Sequence, residues 1–126
     1  MSTLVVIVAL VAGSLGAVIR YGTARAFAAH PARLPWAVLI VNVAGSLVGG
    51  VVLGLAQAGT WSADARLIVL SGFCGGLTTF STFSVETIQL ALDGRMRAAV
   101  ASVAANLVLG IGAAALGWGL ATLATA

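Results

Sequence analysis

The sequence predicts an all-α membrane protein of four transmembrane helices, the third broken near its middle. Three observations lead there. The 126 residues are 61% hydrophobic and only 7% charged, with 16 glycines besides. A soluble domain runs nearer ~45–50% apolar, Gly included, and ~25% charged, so a soluble chain of this composition would lack the polar groups to cover its surface. The few charges are placed so that they leave four uncharged runs. Within the third run, a stretch rich in Gly, Thr and Ser interrupts the helical pattern. This composition excludes a cytoplasmic globular domain, a disordered tail and a nucleic-acid binder. The net charge of +3 comes from six arginines, with no lysine, against Asp64, Glu86 and Asp93. Scattered arginines with no run of like charge make no nucleic-acid surface.

A helix needs about 20 apolar residues to cross a hydrocarbon core of roughly 30 Å. Residues 1–19 carry no charge, thirty uncharged residues separate Arg33 from Asp64, nineteen separate Arg66 from Glu86, and twenty-nine follow Arg97. Turn chemistry falls at 30–35, with Pro31 and Pro35, at 59–64, and at the Asp93-Gly94 pair. The spans are therefore about 3–28, 36–58, 65–92 and 97–123, one transmembrane domain filling 1–126 and leaving no room for a soluble one. No basic segment precedes the first apolar run, so it reads as a span and not as a cleaved leader, despite the small-x-small run Ala26-Phe27-Ala28. Arg20, followed by Tyr21, lies about two thirds along this span and can snorkel to the nearer face. Arg25, Arg33, Arg95 and Arg97 gather at one face, while Arg66 lies at the face of the termini. That asymmetry favours the two arginine-bearing loops in the cytoplasm.

Span two carries Asn42 and then Gly45, Ser46, Gly49, Gly50 and Gly54. Small residues four apart let helix backbones approach closely, and close packing is what joins helices in lipid. The Asn42 amide is costly to bury unpaired. It reads either as interhelical glue or as a donor to a permeating anion.

Span three holds Gly72, Gly75 and Gly76, followed by Thr78, Thr79, Ser81, Thr82 and Ser84. Glycine and β-branched threonine make a poor continuous helix. Non-helical backbone at membrane depth is tolerated only where protein or water covers it. A break is therefore predicted near 75–79, with helix resuming towards Leu92. Beyond it, Thr79, Thr82, Glu86, Gln89 and Asp93 recur at spacings of 3, 4, 3 and 4, one narrow helical face. Phe80, Phe83 and Thr87 lie on the adjoining face. An intramembrane carboxylate such as Glu86 marks a functional site, unless residues 86–93 already meet the headgroups. Phe80 and Phe83 could equally be core. The lone His30 and lone Cys74 suggest neither a metal site nor a disulfide, and Cys74 reads as packing. No nucleophile–base pair, metal cluster or phosphate loop points to an enzyme. The polar inventory of hydroxyls and amides, with aromatic edges that carry partial positive charge, suits a small channel or transporter that oligomerises.

Three stretches, Gly13-Ser-Leu-Gly-Ala-Val-Ile-Arg-Tyr21, Val41-Asn-Val-Ala-Gly-Ser46 and Gly72-Phe-Cys-Gly-Gly-Leu-Thr-Thr-Phe-Ser-Thr-Phe83, resemble the signatures of the Fluc (CrcB) family of small dual-topology fluoride channels. The resemblance covers spans one to three well and span four weakly. It implies an antiparallel homodimer with two fluoride pathways along the interface; the arginine asymmetry raises, as an alternative, a heterodimer with an oppositely oriented paralogue. It further implies passive export of cytoplasmic fluoride across a bacterial or archaeal plasma (inner) membrane, which relieves fluoride toxicity. By motif, Asn42 would donate to fluoride, and Phe80 and Phe83 would present ring edges. Thr79, Ser81, Thr82 and Glu86 would line a polar track. Backbone carbonyls of Gly75 and Thr78 would hold a structural sodium ion that is not transported. Arg20 would serve a vestibule or packing. In span four, where the family often presents a tyrosine and serines, Ser102 and Asn106 stand as possible pathway residues, with Gly110 in place of a serine. The alternatives are a small multidrug-resistance-type four-helix exporter, which needs a carboxylate in its first span where residues 1–19 have none, and a non-transporting assembly subunit.

Overall fold

A computed structural model describes residues 1–29 and 34–126. His30 and Arg33, which entered the metal and orientation readings, lie outside the described residues. All regular structure among those described is helical. Helix α1 runs Thr3–Ala28, α2 Trp36–Gln57, α3 covers 63–77, α4 Ser81–Leu92 and α5 Met96–Ala124. Helices α3 and α4 are the two halves of one membrane span, Ala63–Leu92, so four spans result. At 1.5 Å per residue, the 26 residues of α1 are about 39 Å long, enough to cross with some tilt.

The ends of the helices follow from local chemistry. Ser2 and Ser62 cap α1 and α3, their hydroxyls accepting the N–H of Val5 at 3.3 Å and of Ala65 at 3.1 Å. Helices α2 and α4 close with the same device. Gly59 and Gly94 take φ of +78° and +76°, a region closed to most side chains. The N–H of Thr60 returns to the Leu55 carbonyl and that of Gly59 to Ala56, as Arg95 does to Leu90 and Gly94 to Ala91. This is the Schellman arrangement, which satisfies carbonyls a helix end would otherwise orphan.

The spans pair in parallel, two by two. Helices α2 and α5 run side by side with a constant offset of 64 residues, Asn42 by Asn106, Ser46 by Gly110, and Gly50 by Ala114. A methyl group built on Gly50 would strike the Ala114 carbonyl, and one on Gly54 would stand 2.7 Å from the Ala121 methyl. Helices α1 and α3 pair in the same way, backbone against backbone. Gly13 and Gly16 of α1 meet Gly72, Phe73, Gly76 and Leu77 of α3. Helix α2 is the most buried span and occupies the centre; Val38, Leu39, Val41 and Val52 are all buried. The long apolar faces of α1 and α5 point outwards, where lipid is their solvent.

Candidate functional site

The span-three break lies at Thr78-Thr79-Phe80, at the C-terminal edge of the interval the sequence suggests. The glycines ahead of it do not break the helix. Gly72, Gly75 and Gly76 are all helical. Their lack of side chains is used in packing: a Cβ on Gly76 would overlap the Gly13 carbonyl, and one on Gly72 would come within 2.7 Å of the Ala9 carbonyl. Residues Leu67–Cys74 of α3 are wound as a π-helix, with i→i+5 hydrogen bonds, a form that frequently marks functional positions.

Freed backbone groups in a membrane must find partners, and three side chains supply them here. Asn42 in α2 grips Thr79 with both ends of its amide. Its Oδ1 accepts the Thr79 N–H at 2.8 Å and its Nδ2 donates to the Thr79 carbonyl at 3.1 Å. Arg20 in α1 donates through Nε to the Gly76 carbonyl at 3.2 Å. The Thr79 hydroxyl accepts the N–H of Thr82 at 3.1 Å, tying down the first turn of α4, and lies 3.3 Å from the Ser81 hydroxyl. The Thr78 hydroxyl donates back to the Cys74 carbonyl at 2.9 Å. Among the described residues, the carbonyls of Gly75 and Thr78 take no backbone hydrogen bond outside the helices. Both residues border an open groove of about 400 Å³ with Gly45, Ser46, Gly49 and Gly50. The glycines of α2 thus divide their work. Gly50 and Gly54 admit α5, while Gly45 and Gly49 make room for the Thr78 methyl and Leu70.

The polar stripe of α4 splits in the same way. Thr79, Thr82 and Glu86 are half-buried and line a cavity of about 590 Å³ between α1, the start of α2 and α4, facing Arg20, Tyr21 and Trp36. Gln89 and Asp93 are exposed at the helix end, 3.4 Å apart through Nε2 and Oδ1. Glu86 Oε2 is sealed from solvent and has no hydrogen-bond partner among the described residues. Phe80 and Phe83 stand together, ring centroids 6.0 Å apart and planes tilted by 46°. Phe80 projects away from the chain, 80% exposed. In α5, Asn106 meets Asn42, whose Nδ2 donates its second hydrogen to Asn106 Oδ1 at 3.2 Å. Ser102 is 3% exposed, and its hydroxyl has no partner among the described residues. Cys74 is buried and free.

Sequence reasoning names the polar side chains that meet here, but not the walls of the cavity, among them Tyr21, Phe27, Trp36 and Val38, which no local signal places there. It does not find who binds whom: the Asn42–Thr79 and Asn42–Asn106 ties bridge 37 and 64 residues, beyond the reach of any helical period.

Comparison with known proteins closes the identification. The family described as CrcB-like protein, Camphor Resistance (CrcB), matches residues 7–118. A protein of Frankia casuarinae named Fluoride-specific ion channel FluC 1 is 46% identical over 112 residues, covering 84% of this chain and 87% of its own. One of Streptomyces avermitilis, also named Fluoride-specific ion channel FluC 1, is 42% identical over 110 residues, with 86% and 89% covered. A third, Fluoride-specific ion channel FluC of Renibacterium salmoninarum, is 42% identical over 127 residues, covering 94% of this chain and 99% of its own. With four apolar spans and matches of this extent, the chain is a multi-pass integral membrane protein and belongs to the CrcB-like family.

Proposed function

We propose that this protein is a passive fluoride channel that lets cytoplasmic fluoride leave the cell. The observation that carries the reading is the broken span. In a chain whose spans are mostly apolar, the break at 78–80 is held by Asn42 and opens onto a half-buried row of Thr79, Thr82 and Glu86. The three relatives, all named as fluoride-specific ion channels, support the same reading. Fluoride is small and strongly hydrated, so a pore must replace its water with donors. Asn42 would supply an amide, Ser81 and Thr82 hydroxyls, and Phe80 and Phe83 the positive edges of their rings. No coupling chemistry is needed. Hydrogen fluoride enters as the neutral acid, dissociates inside and leaves as the ion down its own gradient.

Conduction would take place in an antiparallel pair of subunits. The exposed Phe80 and the open groove beside Gly45 and Gly49 support a second copy against this face. The donor set around the groove also fits a structural sodium ion. Gly75 and Thr78 offer carbonyl oxygens left over by the break, the hard ligands an alkali cation takes. A cation there would offset the cost of bringing an anion into low dielectric.

Fluoride efflux from liposomes containing the purified protein, against chloride-only vesicles, tests the function. Rapid fluoride release without chloride release is expected; a folded protein that releases neither, or both alike, would remove the proposal.

A further inference from the structure

The chain has two asparagines, and they are bonded to each other. Their orientations are fixed by backbone partners and leave no freedom to exchange oxygen and nitrogen. Asn42 must turn Oδ1 to the Thr79 N–H and Nδ2 to the Thr79 carbonyl. Asn106 donates through Nδ2 to the carbonyl of Ser102, one turn back, at 2.8 Å, so its Oδ1 is the end that faces Asn42. An amide nitrogen carries two hydrogens. Those of Asn42 are both spent within the chain, one on Thr79 and one on Asn106.

A donor with no hydrogen to spare cannot serve an anion until an acceptor yields. The two acceptors differ in what yielding would cost. The Thr79 carbonyl belongs to a backbone break at membrane depth, and losing it would also undo the paired N–H bond on the same residue. Asn106 Oδ1 is the tip of a side chain on a separate helix, at the longer distance of 3.2 Å. Turning the Asn106 amide away breaks its bond to Asn42 and at most its own donation to the Ser102 carbonyl, and undoes no bond at the backbone break.

We propose that Asn106 is an exchangeable acceptor. It holds the Asn42 hydrogen while the site is empty and surrenders it to a passing anion, and so sets how tightly the anion is held. This rests on the fluoride-channel reading above and assigns Asn106 a positioning role within it. A buried unpaired donor is costly, so an occupied Asn42 keeps the empty site stable. The same competition prevents the anion from being trapped.

The test labels the two asparagine side-chain amides with heavy nitrogen in the lipid-reconstituted protein and titrates fluoride, with chloride as control. Fluoride is expected to shift both side-chain amides together and chloride neither. In Asn106→Leu, of nearly the same shape, the Asn42 amide should respond at about fivefold lower fluoride, the equivalent of one net hydrogen bond of ~1 kcal/mol removed from competition. Efflux per channel should fall as release slows. A merely structural Asn106 would change melting temperature but not the fluoride dependence of the Asn42 signal. Efflux by the wild type with the Asn106 amide unmoved by fluoride overturns this inference alone. No efflux and no Asn42 response overturns the inference together with the channel reading. The wild-type titration decides the matter even if Asn106→Leu does not fold.

Discussion

The two halves of the third span differ in nearly every physical respect. Helix α3 is apolar, buries Gly72, Cys74 and Leu77, and is pressed against α1 at distances only glycine allows. Helix α4 has no buried residue, and it carries hydroxyls, a carboxylate and the Phe83 ring, with Phe80 just ahead of it. One half is an anchor fixed by shape, and the other an arm fixed by hydrogen bonds at its first turn. A membrane gives helices no hydrophobic drive to associate, so the anchor has to rely on close van der Waals contact. The arm can then afford polar groups, since Asn42, Arg20 and Thr79 hold the junction.

This contrast predicts that damage to the anchor abolishes the protein, whereas damage to the arm abolishes transport and leaves the protein standing. The largest effect is expected from Gly76→Val, whose side chain would enter the Gly13 backbone. Overpacking of this kind costs about 1–3 kcal/mol where neighbours can shift, and here the neighbour is backbone. Loss of monodisperse protein in detergent is expected; a normal melting curve would show that the α1–α3 contact is looser than described. Next comes Asn42→Leu, which strands the Thr79 N–H and carbonyl at a cost of about 1–3 kcal/mol and removes the proposed donor. Efflux should fall about a hundredfold, with a measurable loss of thermal stability.

Phe80→Met sharpens the comparison, because Phe80 stands at the head of the arm and is exposed in the single chain. Methionine has no positive ring edge to offer the anion, so fluoride efflux should drop by about tenfold, while losing the contact with Phe83 lowers the melting temperature only slightly. A fall in stability without a fall in flux would move Phe80 from the arm's function to its packing. The smallest effect is expected from Trp118→Phe, which removes the 2.7 Å bond from the indole N–H to Gln57 at the far ends of α2 and α5. An exposed hydrogen bond contributes about 0.5–1.5 kcal/mol. A slightly lower melting temperature and unaltered flux are expected.

What the sequence determined by itself is the all-α fold of four spans, the presence of a break in the third, and the identity of the polar row beyond it. These depend on apolar run length, glycine and threonine content, and a 3.6-residue period, all of which are local. The sequence could also name Asn42 and Glu86 as unusual, since polar groups at membrane depth are costly wherever they sit. Tertiary structure decided the rest. The sequence suggests a break near 75–79; Gly72 and Gly76 stay helical where they pack on α1, and the chain parts at Thr78–Phe80, the C-terminal edge of that interval. Asn42 suggested glue or an anion donor without indicating a partner. Its amide closes on Thr79 and Asn106 because the parallel pairing of α2 with α5 brings residues 64 apart to one level. A hydrogen bond is chosen by the distance between helices, and that distance is set by which small residues meet across them.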